Sequence, residues 1–158
     1  MSSEHDRLVR YLSDAHAAEV GYRKMFEAFI RPATDQNLCL LYQEQVQLSR
    51  LQEDRLEKCL HKFGAQTSEV KDIANTIFAK IGDVIHSNRD AADQTVQDLL
   101  KAYGLAQAGK AMYESLSAYA SQLGTPDIPD VAEAAKREKE EAAERIWPMI
   151  GKFARAIL

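Results

Sequence analysis

Along nearly the whole chain the apolar residues return in steps of three and four, the period of an amphipathic helix. Over residues 3–30 the stripe reads Leu8, Leu12, Ala15, Glu19, Tyr22, Phe26 and Phe29. Over residues 35–63 it reads Leu38, Leu41, Gln45, Leu48 or Ser49, Gln52, Leu56, Cys59 and Phe63. From Asp90 to about Leu123 it runs through Leu99, Tyr103, Ala106, Lys110, Tyr113, Ser117 and Ala120. The last segment opens at Asp130 and carries a charged run from Lys136 to Glu141, followed by Ile146, Trp147, Met149, Ile150 and Phe153. A shorter piece, Ser68 to Ile85, puts Val70, Ile73, Ile77, Ile81 and Ile85 on one face.

Local signals bound these segments. Ser3 with Asp6 three residues on forms a capping box, and Pro32 stands beyond the first helix. Thr34 is placed to cap the second helix, which Gly64 ends as a left-handed stop. Asp90 with Asp93 opens the third, which closes near Leu123-Gly124, and Asp130 with Glu133 caps the last. Pro148 is expected to bend or restart that helix, because its ring removes a backbone donor and crowds the preceding turn. Four long helices and one short one predict an all-α four-helix bundle, a single domain over residues 1–158. The short helix serves as the crossover between helices two and three, which is the ferritin-like connectivity.

Composition supports helix and narrows the function classes. The formal charge is 20 − 24 = −4, mixed in sign, without the basic stripe of a nucleic-acid binder or a membrane-surface protein. No segment approaches a transmembrane helix. The start, Met1-Ser2-Ser3-Glu4-His5-Asp6, lacks the basic region and apolar run of a signal peptide, which predicts a cytoplasmic protein. Cys39 and Cys59 lie on one helix, roughly 30 Å apart at 1.5 Å per residue, too far for a disulfide. There is no phosphate-binding glycine loop, no GxSxG elbow and no CxxC pair.

The candidate chemistry lies where the seams turn polar. Glu19 sits in mid-seam on the first helix, Gln45, Ser49 and Gln52 interrupt the second, and Ala106, Gly109 and Lys110 stand together on the third. A buried carboxylate needs a partner. A metal ion is one answer and a hydrogen-bonded or ion-paired network is the commoner one. Tyr22, Tyr103 and Tyr113 read as bulky seam residues with locally satisfied hydroxyls. The pairs His16/Glu19 and Glu57/His61 read as surface pairs, and the run from Lys136 to Arg145 as a solvated helix face.

Several motifs resemble the YciE/YciF-like ferritin-like family in order and spacing. They are Leu12-Ser13-Asp14-Ala15-His16-Ala17-Ala18-Glu19, Arg55-Leu56-Glu57-Lys58-Cys59-Leu60 closing on Gly64, Ala118-Tyr119-Ala120-Ser121-Gln122-Leu123-Gly124, and Glu140-Glu141-Ala142-Ala143-Glu144. The resemblance implies a fold similar to di-iron carboxylate proteins, in which glutamates from all four helices and histidines a turn away hold Fe or Mn. The chain departs from that pattern. Ser49 and Gln52 stand where the family's glutamate and histidine fall, and Ala106 and Gly109 where its acidic residues fall. Glu19, Glu140 and Glu144 remain as candidate metal ligands, with Glu138 or Glu141 as alternatives in register.

Three readings follow. The first is a non-catalytic bundle with a degenerate di-metal site and no cofactor, in which Lys110 either fills the former metal region and pairs with Glu19 or a glutamate of the last helix, or runs its stem along the seam to water. It would act through protein contacts; the resemblance implies a homodimer and a stress-related role, and Trp147, Met149 and Phe153 offer an apolar contact. The second is a metal-dependent oxidoreductase or iron-handling protein using Glu19, Glu44, Glu140 and Glu144. The third is a small-molecule pocket left beside Ser49, Ala106 and Gly109.

Overall fold

The computed structural model describes residues 3–65 and 90–157, and in these ranges every regular element is a helix. They are α1 (Glu4–Ile30), α2 (Gln36–Lys62), α3 (Ala91–Gln122) and α4 (Asp127–Arg155). The expected short crossover helix, Ser68 to Ile85, lies outside the described residues. Short turns join α1 to α2 and α3 to α4, so each pair forms an antiparallel hairpin packed along its length. The α1–α3 and α2–α4 contacts close the ring, leaving α1 and α4 facing each other across its diagonal.

The helix ends follow from local chemistry. At α1 the Ser3 hydroxyl accepts from the Asp6 amide at 3.0 Å, and the Asp6 carboxylate accepts from the Ser3 amide at 3.1 Å. Asp90 accepts from the amides of Ala92 and Asp93 at the start of α3. Gly64 and Gly124 both take φ +68°, the left-handed conformation that ends α2 and α3.

Three boundaries differ from expectation. Asp35, not Thr34, caps α2, accepting from the Leu38 amide at 3.0 Å; its carboxylate reaches the third helical amide, as an N-cap must. α4 begins at Asp127, three residues before the predicted cap at Asp130. Pro129 falls in its first turn, where amides have no intrahelical acceptor and a missing donor costs nothing. α4 also continues through Pro148 to Arg155 instead of restarting. The carbonyl that Pro148 leaves without a donor belongs to Glu144, and both residues are exposed, so water can satisfy it.

The core is two apolar blocks with a polar layer between them. At one end Leu8, Leu12, Leu56, Leu60, Leu116 and Ile128 pack together. At the other, Phe26, Phe29, Leu38, Leu41, Tyr42, Leu99 and Ile146 do. Gly104 lies outside this core, exposed within α3, with nothing within 4 Å of the place a Cβ would occupy. Gly104→Ala should therefore stabilise the protein by about 0.5–1 kcal/mol, the ordinary helical advantage of alanine, as measured by urea unfolding.

Candidate functional site

Each helix contributes to the layer at the same depth. Glu19 lies one turn from Ala15 and from Tyr22 on α1, and Ser49 and Gln52 lie between Val46 and Leu56 on α2. Ala106, Gly109 and Tyr113 face inward from α3, and Lys139 from α4, between Ala135 and Ile146. Glu19 is 0% exposed and Lys139 5%.

The Lys139 ammonium crosses the bundle diagonal and sits astride the Glu19 carboxylate, 3.0 Å from each oxygen. The Tyr113 hydroxyl donates to Glu19 Oε1 at 2.6 Å. Burial and the adjacent Glu19 charge hold Tyr113 well above its usual pKa, so it stays a donor. The same two causes raise Tyr22, whose ring lies 4.6 Å from the Lys139 ammonium in a cation–π contact. The carboxylate thus has three close donor contacts, and the ammonium has a carboxylate and a ring.

Room for the lysine comes from α3. A Cβ built at Gly109 would stand 3.1, 3.2 and 3.3 Å from Lys139 Cε, Cδ and Cγ. The stem of Lys139 therefore runs against bare backbone and fills the space beside Gly109. At the layer's margin Gln52 donates through Nε2 to Glu138, and Arg55 approaches the other Glu138 oxygen at 3.5 Å.

The sequence-predicted residues divide. Glu19, Gln45, Ser49 and Gln52 are all buried, with Ser49 rather than Leu48 holding the inward position. Lys110 does not reach Glu19. It lies at the flank of α3 and bonds Glu140 at 2.7 Å in a partly exposed pair, which lowers the Glu140 pKa. A four-residue step from Ala106 puts Lys110 on the seam, but the helix takes the three-residue step instead, and the inward track of α3 is Leu99, Ala102, Ala106, Gly109, Tyr113, Leu116, Ala120. Glu144 is exposed and shares an outer cleft with Glu140 and Lys110. Glu44 is also on the surface, bonded to Arg145 at 2.6 Å. Neither Glu140, Glu144 nor Glu44 joins Glu19.

The residue that sequence reasoning missed is Lys139, taken as part of a solvated charged face. The signal was present: stepping back from Ile146 by helical intervals gives Ala142, Lys139, Ala135, Ala132 and Ile128, all buried. His16, read as part of a surface pair, is likewise buried, whereas His61 and Glu57 do pair on the surface at 3.9 Å. Trp147 is exposed, while Met149 and Phe153 pack against the core.

Among the described residues no three of His, Cys, Asp and Glu come together as donors for a metal. The donor set does not fit two carboxylate-bridged ions. Such ions need several oxygen and imidazole donors converging from facing helices. Here an ammonium group lies against both oxygens of Glu19, the only acidic residue at the axis among the described residues. No helix among the described residues is long and apolar enough to cross a membrane.

Comparison with known proteins agrees with the fold. The family model described as "Domain of unknown function (DUF892)" covers residues 3–156. A solved protein from Xanthomonas campestris pv. campestris is 18% identical, with a TM-score of 0.79 over 98% of this chain and 95% of that one. The Escherichia coli stress protein YciF is 14% identical, with a TM-score of 0.80 over 98% of this chain and 99% of its own. A two-domain protein from Anabaena variabilis, containing DJ-1/ThiJ/PfpI-like and ferritin-like domains, is 16% identical. Its TM-score is 0.71 over 98% of this chain and 39% of that one. No curated protein matches the chain. With its family model spanning nearly every residue, the chain belongs to the DUF892 family, and its fold is the ferritin-like bundle it shares with YciF.

Proposed function

We propose that this protein is a non-catalytic ferritin-like bundle whose di-metal site is degenerate, and that it acts through protein contacts as a homodimer. One observation carries the reading: the Lys139 ammonium lies 3.0 Å from both oxygens of Glu19, where a bridging cation would otherwise neutralise that carboxylate. An internal cation of this kind balances the buried charge without metal, and such pairs set packing more than they add stability. Ser49, Gln52, Ala106 and Gly109, which take the positions of the absent ligands, provide no carboxylate.

The contact role draws support from the surface. Leu40 and Leu51 are 56% and 41% exposed, and their spacing of eleven residues puts them on one face of α2. A stress-related role is suggested by the fold shared with the E. coli stress protein YciF.

Titration with Fe(II) and with Mn(II), followed by elemental analysis of protein purified without chelator, tests the reading. The expected result is no stoichiometric tight uptake of either ion. Two ions bound per chain, lost in Glu19→Ala, would overturn it and favour an iron-handling or oxidoreductase role.

A further inference from the structure

We infer that the outer cleft between α3 and α4 at Trp147 is a binding site for a small organic monocation, a guanidinium or alkylammonium group. This inference is independent of the metal-free reading of the bundle axis. The cleft has a volume of about 390 Å³, within the range of small-ligand sites.

Its aromatic wall is held in place. Trp147 is 64% exposed, an unusual exposure for a side chain with so large an apolar face. It packs on Tyr103 with ring centroids 5.2 Å apart and planes at 48°. The Tyr103 hydroxyl in turn accepts a hydrogen bond from Gln107 at 3.0 Å. The wall is ordered before any ligand arrives, which reduces the entropy lost on binding.

The charge in the cleft is unbalanced. Lys110 neutralises Glu140 through the 2.7 Å pair. Glu144, one turn further along α4, makes no hydrogen bond or ion pair among the described residues. One uncompensated carboxylate beside an exposed π-face selects a single positive charge on a flat or alkyl body. Guanidinium meets both demands, stacking on the ring and bonding the carboxylate. An anion would meet Glu144, and a neutral solute would leave its charge unanswered.

Trp147 is the only tryptophan in the chain, so its fluorescence reports on the cleft directly. Ethylguanidinium chloride is the probe, with N-ethylurea as a neutral analogue of similar shape and sodium chloride as the ionic-strength control. Ethylguanidinium should give a saturable change with a dissociation constant on the order of millimolar, while the two controls should not. Glu144→Gln should weaken binding roughly threefold or more, and Lys110→Met should strengthen it by releasing Glu140. The blocked tripeptide acetyl-Gly-Arg-Gly-amide separates the sources of the group. Tighter binding than ethylguanidinium points to an arginine of a partner protein, and equal or weaker binding to a free small molecule. Identical titrations with ethylguanidinium and N-ethylurea, no saturable change, or an unaltered constant in Glu144→Gln would overturn the site. Backbone amide spectra of both variants, matching the parent away from the cleft, show that the comparison is between folded proteins.

Discussion

Lys139→Met should destabilise the protein by about 3–5 kcal/mol, the usual cost of leaving one member of a buried ion pair uncompensated. Methionine keeps most of the stem volume beside Gly109 and removes only the charge. Glu19, with no exposure to solvent, would then retain just the Tyr113 hydroxyl at 2.6 Å. A domain of this size holds about 5–15 kcal/mol in total, so the loss is a large fraction of it. The melting temperature should fall by on the order of 10 °C. Replacing all three partners, Glu19→Leu with Lys139→Met and Tyr113→Phe, should recover most of that loss, since no member of the triad is then left without its partner. Urea unfolding followed by circular dichroism reads both variants. A loss below about 1 kcal/mol in the single variant would mean that the carboxylate reaches water and that the axial pair does not govern the layer.

Gly109→Ala is expected to reverse the usual sign of a glycine-to-alanine change inside a helix. Alanine should gain about 1 kcal/mol from helical propensity. At this position its Cβ would press on three carbons of the Lys139 stem at 3.1–3.3 Å. That stem has little freedom to retreat, because its ammonium is tied to Glu19 at one end and its backbone belongs to α4 at the other. Overpacking of a fitted core costs about 1–3 kcal/mol, which offsets that gain and leaves a net loss of up to about 2 kcal/mol. In a Lys139→Ala background the obstacle is gone and the same substitution should stabilise. The resulting coupling energy is read from a double-mutant cycle by urea unfolding. Equal effects in both backgrounds would show that the lysine stem does not occupy the space beside Gly109.

Much of the fold was legible because its signals are short in range. The seam Leu8, Leu12, Ala15, Glu19, Tyr22, Phe26, Phe29 is one face of one helix, and all seven residues are buried. The Ser3/Asp6 box and the stops at Gly64 and Gly124 each depend on a few consecutive residues. The existence of a central polar layer was legible too, since Glu19, Ser49 and Gln52 interrupt otherwise apolar seams. Its occupant was not. Lys110 and Gly109 are neighbours in the chain but point about 100° apart on a helix, and a glycine gives no hydropathy signal for the inward position. Lys139 was hidden by its surroundings, because a lysine among Lys136, Arg137, Glu138, Glu140 and Glu141 reads as one more solvated charge.

The sequence alone determined the helices, most of their ends, the bundle class and the depth at which its polar residues gather. These depend on backbone hydrogen bonding within a segment and on the 3.6-residue repeat, both local. Only the tertiary structure decided which cation meets Glu19 and which glutamates stay outside. Helix rotation about its own axis settles that choice. It is fixed when Ala135, Ala142 and Ile146 on one helix and Ala102, Ala106 and Leu116 on another bury their apolar surface together. A register that carries Lys139 inward turns Glu140 about 100° and Glu144 about 140° away from the axis, toward the surface.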